Sequence, residues 1–234
     1  MKRVWVLVLG LLAMAPAAAS ATQISLLTSP KKALVNVSLT GFGTYNYFAG
    51  QLNWAWVGSV PTGYDSTFYA YCVDVTRAAT AVEDVAIKST DMLVVSGVPD
   101  AGGKAAWLFN SFAPTVNTSG TNLDAAALQV AIWEALYDTS GDVASGNFRL
   151  NGTSSNAVTI ASKAMTYLNA LYSAGGGGYS TSTATWLDAP IGYGQDQMAL
   201  MPVPEPATLT LCGFGLLGLA RAARRRRTTS REQV

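Results

Sequence analysis

The chain has 234 residues, of which only 12% are charged and none is histidine, whereas soluble domains usually carry ~25% charged residues. Histidine is the usual general base of serine and cysteine hydrolases and the usual zinc ligand, so its absence argues against a secreted hydrolase and a zinc site. We expect a protein that is not an enzyme and that uses no metal and no cofactor. If the leader and the residues after Pro206 are removed, 7 basic and 13 acidic residues remain and give a net charge of −6, which predicts no nucleic-acid binding.

The N-terminus has the three parts of a secretory signal peptide. Lys2 and Arg3 make a basic start, residues 4–15 are apolar, and small residues follow up to Ala21. Small residues are needed just before the cleavage site, so we predict cleavage near Ala19 or Ala21 and assign residues 1–21 to the leader. A retained membrane anchor is the alternative.

Six segments in the first hundred residues have the composition or the alternation of β-strands. They are residues 35–40, 44–48, 52–57, 67–75, 82–87 and 92–98, of which the last two are weaker. The second and third segments flank Ala49-Gly50-Gln51, so they predict a hairpin around this glycine. Cys72 lies within the fourth segment, which we expect to be a central strand.

Three helices are predicted in the second half. Residues 104–112 have apolar side chains at helical spacing and stop before Pro114. The second helix covers residues 125–138 after Thr121, whose capping box would be completed by Asp124. The third is capped by Ser155 or Asn156 and ends at the glycines 175–178, which we interpret as a flexible loop. Residues 115–122 and 147–156 are expected to be loops.

The second helix is apolar nearly all round, which indicates burial on every side. Its middle holds one uncharged polar side chain, Gln129, on the same face as Ile132 and Trp133. Glu134 lies roughly 140° away, on the side that we expect to be wetter. Because an unpartnered buried carboxamide costs ~1–3 kcal/mol, Gln129 must meet either a backbone group of a neighbouring strand or Cys72.

Two late strands, residues 183–187 and 197–200, complete the pattern of early strands, central helices and late strands. This order predicts an α+β fold, with about three helices packed on antiparallel strands that form a sheet or a barrel-like set. Residues 22–201 would be one extracellular domain.

Pairs of carboxylates occur at Glu83-Asp84 and at Asp138 and Asp142. A glycosidase needs two carboxyl groups across a pocket, and nothing in the sequence places any two of these in that way. We expect both pairs to lie in solvated loops, and the segment 138–142 to be a turn after a helix rather than a cation site.

Residues 202–234 form a tripartite tail: Pro204-Glu205-Pro206, an apolar segment of residues 207–220, and a basic end. The basic end contains Arg221, Arg224, Arg225, Arg226 and Arg227. Fourteen apolar or small residues are short for a membrane span, which needs roughly 20, and the arginines would hold the C-terminal end on the cytoplasmic side. A transient or tail-anchored association with the membrane is expected.

This tail resembles the PEP-CTERM sorting signal of Gram-negative bacteria that make exopolysaccharide. The resemblance implies export across the inner membrane and a membrane-held precursor. It also implies processing near Pro204-Glu205-Pro206 by an exosortase, a membrane-embedded protease. The mature form would then lie at the cell surface or outside the cell, in an exopolysaccharide layer or biofilm. A simple tail anchor that begins with the same three residues is the alternative.

Cys72 has no partner for a disulfide if the tail is removed, because the second cysteine, Cys212, lies in the apolar segment. A free cysteine can pack as a small buried hydrophobe. Alternatively, the Gln129 side chain has acylated the sulfur with loss of ammonia, which gives an internal thioester.

Two motifs carry a second resemblance. Tyr71-Cys72-Val73-Asp74 and the later Leu-Gln-Val-Ala-Ile-Trp-Glu at 128–134 resemble the thioester domains of bacterial surface adhesins. Those domains have an aromatic-Cys-apolar-Asp strand and a helix with Thr-Gln-x-Ala-apolar-Trp, although Leu128 stands here where threonine is usual. The resemblance implies a bond between Cys72 and Gln129 that captures a nucleophile.

By the same resemblance Tyr71, Asp74 and Trp133 would shape the site, limiting the entry of water and holding the acyl oxygen. The acceptor stays open: a protein amine, a polysaccharide hydroxyl or a second copy of the chain. The alternative function is a non-reactive structural protein of the exopolysaccharide matrix or surface layer.

Overall fold

The computed structural model describes residues 22–174 and 184–200. The nine strands and three α-helices of these residues are β1 (Thr22–Thr28), β2 (Lys32–Leu39), β3 (Gly43–Gly50), β4 (Leu52–Trp56), β5 (Thr67–Cys72), β6 (Val82–Ser89), α1 (Ala101–Ser119), α2 (Asn122–Tyr137), β7 (Phe148–Asn151), α3 (Ser155–Ala174), β8 (Ala184–Asp188) and β9 (Gln197–Leu200). The predicted leader, the glycines 175–178 and the sorting tail lie outside the described residues.

Six strands close into an antiparallel barrel in the order β1-β4-β5-β9-β8-β6, with β6 pairing back to β1. Alternate residues of each strand face inward, and each strand contributes at least one of them to a single apolar cluster. That cluster includes Ile24, Trp54, Phe68, Val85, Leu187 and Ala199. The predicted α+β class with barrel-like antiparallel strands is confirmed.

A second sheet, of order β3-β2-β7, packs against α2. Its buried face carries Val35, Val37, Leu39 and Phe148. Because α1 and α3 pack on other sides of α2, every residue of α2 from 125 to 136 is buried. The predicted all-round burial of this helix is therefore confirmed, and Glu134 is buried with the rest, contrary to the expectation of a wetter side.

The predicted hairpin around Gly50 is wrong. β3 pairs with β2, whereas β4 pairs with β1 and β5, so the chain leaves one sheet and enters the other at this turn. Gly50 has a φ of 142°, and a Cβ atom there would lie 2.3 Å from the carbonyl oxygen of Lys31. The glycine is thus required by a close approach of two backbones, and a turn signal alone does not show whether its flanking strands pair.

Residues 92–98 do not form the predicted strand. They follow a 3₁₀ turn, Thr90–Met92, and contain only one isolated bridge between Val95 and Val98. Val94 is 79% exposed, whereas Leu93 and Val98 are buried, so the stretch packs on the core as an irregular segment rather than as a strand.

Helix α1 is longer than predicted and continues through Pro114 to Ser119. A proline inside a helix removes one backbone hydrogen bond. Beyond Pro114 the helix still buries Val116 against the core, and the C-cap Gly120 N–H donates to the carbonyls of Thr115 and Val116. Tertiary packing therefore outweighs the local cost of the proline.

The capping box of α2 is confirmed. Asp124 N–H donates to Thr121 Oγ1 at 3.2 Å, and Thr121 N–H donates to the Asp124 carboxylate at 2.8 Å. For α3 the cap is one residue earlier than predicted, because Ser154 Oγ accepts from Ala157 N–H at 3.2 Å.

Strands β1 and β7 were not predicted, and β7 lies within the expected loop 147–156. Each is defined by its pairing with a strand distant in sequence. Among the residues that the structure describes, no helix combines the length and the apolar character that crossing a bilayer requires.

Candidate functional site

Cys72 and Gln129 lie side by side where the barrel meets the central helix. Cys72 is the last residue of β5, between β4 and β9, and is 4% exposed. Gln129 lies in the middle of α2 and is 1% exposed. Their separation of 57 residues in sequence is closed by the packing of α2 beside the barrel.

Two hydrogen bonds join the Gln129 carboxamide to the backbone of Cys72. The Cys72 N–H donates to Gln129 Oε1 at 2.9 Å, and Gln129 Nε2 donates to the Cys72 carbonyl at 2.7 Å. The side-chain amide thus pairs with the end of β5 as a neighbouring strand would. Both partners proposed for Gln129 from the sequence coincide, since the backbone group it needs belongs to Cys72.

The Cys72 sulfur is a thiol that donates to the Asp74 carbonyl at 2.9 Å. Burial raises the pKa of this thiol well above its usual range, and the negative charge of Asp74 adds to this effect. The indole N–H of Trp133 acts in the opposite direction but more weakly. The thiol is therefore neutral at physiological pH.

A pocket of about 320 Å³ opens over the pair. Its walls come from α2, from the β2–β3 edge of the second sheet and from the loops at the end of the barrel, and they include Tyr47, Phe48, Cys72, Gln129, Trp133 and Gln195. Lys32 is the charged residue in this lining. Cys72 and Gln129 thus border a cavity with room for a small nucleophile, although they are only 4% and 1% exposed.

Of the three residues expected to shape the site, only Trp133 lines the pocket. Its ring packs between Tyr47 and Phe148, with centroid distances of 6.3 and 6.2 Å. Tyr71 points to the opposite side of β5. There its ring meets Phe109 of α1 edge-on, and its hydroxyl donates to Asn117 Oδ1 at 3.1 Å.

Asp74 makes its hydrogen bonds to the site through its backbone rather than its side chain. Its carbonyl accepts from the Cys72 thiol and from Gln195 Nε2, the latter at 3.2 Å. Its carboxylate instead accepts from Thr76 and from Arg77, which also donates to Asp196 at 2.9 Å. This network fixes the loop that follows Cys72.

Sequence reasoning missed this network. Arg77 and Asp196 are separated by 119 residues, and neither belongs to a motif. Val73 N–H also donates to the Asp196 carbonyl at 2.9 Å, so the pairing of β5 with the segment before β9 is what brings the charges together.

Two of the four carboxylates expected in solvated loops, Glu83 and Asp138, are buried, whereas Asp84 is exposed and Asp142 half-buried. Glu83 is 1% exposed and accepts from the N–H groups of Thr80 and Gln195 at 2.8 and 3.2 Å. The Asp138 carboxylate is also buried; it accepts from four backbone N–H groups, those of Thr139, Ser140, Asn147 and Phe148. Burial alone would raise the pKa of Asp138, but these donors together lower it.

Glu134 is fully buried under the loop that follows α2. Its Oε1 accepts from Ser140 Oγ at 2.9 Å and from Asp142 N–H at 3.1 Å. Burial raises its pKa to about 7. Within residues 22–174 and 184–200, no cluster of three or more His, Cys, Asp or Glu side chains could hold a metal ion.

Comparison with known proteins identifies the tail. Residues 202–227 match the PEP-CTERM protein-sorting motif. No curated protein is significantly similar to the chain. The resemblance of the tail drawn from the sequence is thus confirmed: this is an exported protein with a PEP-CTERM signal, which implies a membrane-associated precursor processed by an exosortase.

A solved structure also matches, the N-terminal thioester domain of fibronectin-binding protein SfbI from Streptococcus pyogenes. It is 14% identical with a TM-score of 0.43, and the match covers 76% of this chain and 98% of that domain. Similarity at this level supports no inference about chemistry, so any function of the pair rests on its own geometry.

Proposed function

We propose that the exported domain carries an internal thioester between the Cys72 sulfur and the Gln129 side chain, which captures a nucleophile on a partner once. The observation that carries this proposal is the pair of hydrogen bonds that holds the Gln129 carboxamide against Cys72, beneath an open pocket. The protein is not a turnover enzyme, because each capture consumes the acyl group.

The geometry supports formation of the bond. The thiol sulfur adds to Cδ of Gln129, the Cδ–Nε2 bond breaks, and the thiol proton leaves with the nitrogen as ammonia. During this step negative charge develops on Oε1, which already accepts from the Cys72 N–H at 2.9 Å. A backbone donor placed in advance at a developing oxyanion is an effective form of stabilisation.

Capture then transfers the acyl group from the sulfur to the nucleophile. A nucleophile enters through the pocket and adds to Cδ, the Cδ–Sγ bond breaks, and the thiol is regenerated. Holding the acyl group in a fixed orientation next to the entering group provides the rate advantage. The acceptor is a protein amine or a polysaccharide hydroxyl at the surface of a Gram-negative cell or in its exopolysaccharide layer.

The alternative function, a non-reactive structural protein of that layer, is favoured by a different observation. The oxygen and the nitrogen of the Gln129 carboxamide are both hydrogen-bonded already, and the neutral thiol donates to the Asp74 carbonyl. The polar atoms of both side chains are therefore satisfied without a covalent bond.

Mass measurement decides between the two functions. We expect the exported protein, purified after expression of the full chain, to weigh one ammonia less than its sequence and to show no free thiol. Methylamine should add at Gln129 and release the Cys72 thiol. Cys72→Ala should remove all of these signals at a cost of roughly 1–3 kcal/mol in stability.

A full-mass protein with one thiol that reacts on unfolding would exclude the thioester and favour the structural alternative. Cys72→Ala serves as the control, because it keeps the backbone N–H and carbonyl that bind Gln129 and removes only the sulfur.

A further inference from the structure

Trp133 has a buried donor that makes no full hydrogen bond within the described residues, although it lies close enough to Cys72 to lower the pKa of its thiol. Its side chain is 2% exposed, and its indole Nε1 has no hydrogen-bond partner among the described residues. Buried N–H groups are nearly always paired, so an unpaired one beside a reactive pair calls for an explanation.

The indole lies beside the Cys72–Gln129 pair. Gln129 and Trp133 are four residues apart on α2, which places them on one face of the helix, and both line the pocket with Cys72. Packing against Tyr47 and Phe148 fixes the ring plane. Gln129 Oε1 already accepts from the Cys72 N–H, so the acyl oxygen does not need the indole as a donor.

The electrostatics of the thiol agree with this position. Burial raises the pKa of Cys72 and the Asp74 charge raises it further, whereas the Trp133 indole lowers it. The indole therefore favours the anionic form of sulfur. A neutral thiol is a weak acceptor and a thiolate a strong one, which explains why a full hydrogen bond is absent before any charge reaches the sulfur.

We propose that the indole N–H of Trp133 hydrogen-bonds the Cys72 sulfur as it leaves the acyl group, and so speeds capture. This inference rests on the proposed thioester. An amine adds to Cδ of Gln129, and the resulting Oε1 anion is held by the Cys72 N–H. The Cδ–Sγ bond then breaks with its electron pair on sulfur, which the indole stabilises. The proton of the attacking nitrogen finally passes to the sulfur and leaves a thiol and an amide.

Trp133→Phe tests this assignment, because it keeps an aromatic ring and removes the N–H. Trp54→Phe is the matched control: Trp54 is also fully buried, its Nε1 has no partner in the described part of the chain, and it lies in the barrel cluster rather than in the pocket lining. In the exported full chain, we expect the thioester of the Trp133 variant to open with methylamine about tenfold more slowly than that of the wild type, by the usual strength of a charge-assisted hydrogen bond. The control should open at the wild-type rate.

A second readout separates the donor role from packing. After opening, the pH dependence of alkylation of Cys72 by iodoacetamide should shift to higher pH in Trp133→Phe and not in Trp54→Phe. Equal rates and equal pH profiles in the wild type and Trp133→Phe would overturn the inference and leave the thioester standing. Absence of ammonia loss in the wild type would instead refute the proposed function itself.

If Trp133→Phe does not fold, the wild type still decides the question. The indole N–H resonance of Trp133 should move downfield when methylamine opens the thioester and the pH is raised until the thiol ionises. An unchanged resonance would overturn the inference.

Discussion

Glu134→Gln tests the unexpected burial of a carboxylate on α2. Glu134 has no exposed surface, its Oε1 accepts from Ser140 and Asp142, and its buried Oε2 has no partner within residues 22–174 and 184–200. Burial raises its pKa to about 7 from an ordinary value of 4.5, and the charges of Asp138 and Asp142 contribute in the same direction.

The sign of the pH effect follows from this raised pKa. The folded protein holds the Glu134 proton more tightly than the unfolded chain does, so the contribution of this group to stability is complete below pH 4.5. It is lost as the pH rises towards and through about 7, because the unfolded chain ionises freely while the folded one resists. The difference between the two pKa values corresponds to at most ~3 kcal/mol of unfolding free energy, because the surroundings of a buried carboxylate can relax.

The assay is urea unfolding of the wild type and of Glu134→Gln at several values between pH 5 and pH 8. Glutamine keeps the Oε1 acceptor for Ser140 and Asp142 but does not titrate. We expect the variant to gain stability relative to the wild type by ~2–3 kcal/mol across this range. Glu83→Gln should show the same direction, because burial also raises the pKa of Glu83. A difference between wild type and Glu134→Gln that does not change with pH would refute the reasoning.

Two further predictions concern the sorting tail and the start of α2. Replacing Pro204-Glu205-Pro206 by alanines should leave a membrane-held precursor of full length, and Arg227 peptides in the secreted wild type would contradict processing at this motif. Thr121→Ala should lower the free energy of unfolding by ~1 kcal/mol, because it removes the acceptor of the Asp124 N–H. Thr121→Ser, which keeps that acceptor, is the control. An equal loss of stability in both variants would exclude the capping explanation.

The contact between Cys72 and Gln129 could be predicted because two local patterns restrict it. A helix that is apolar on all sides must be buried, and its single uncharged polar side chain must then find a partner. The strand that bears Cys72 was the partner named by the motif. The sequence could not show that the carboxamide binds the Cys72 backbone rather than its sulfur, since that depends on how α2 docks on the end of β5.

Other features depended on contacts that no local pattern encodes. The periodicity of α2 assigns Glu134 to one side, but it does not show that the loop carrying Ser140 and Asp142 covers that side. Likewise, Gly50 marks a turn, but the pairing of β3 with β2 and of β4 with β1 is decided by which apolar faces can be buried together.

The position of the pair also indicates what a covalent bond would add to the fold. Cys72 ends a barrel strand but packs in the same apolar cluster as the helices, so a thioester to Gln129 would join two parts that already share buried contacts. The two hydrogen bonds of Gln129 already hold these parts together in the unreacted pair. Stability therefore does not require the bond, and opening it would cost the domain little. A site of this kind can transfer its acyl group to a partner while the surrounding fold stays intact.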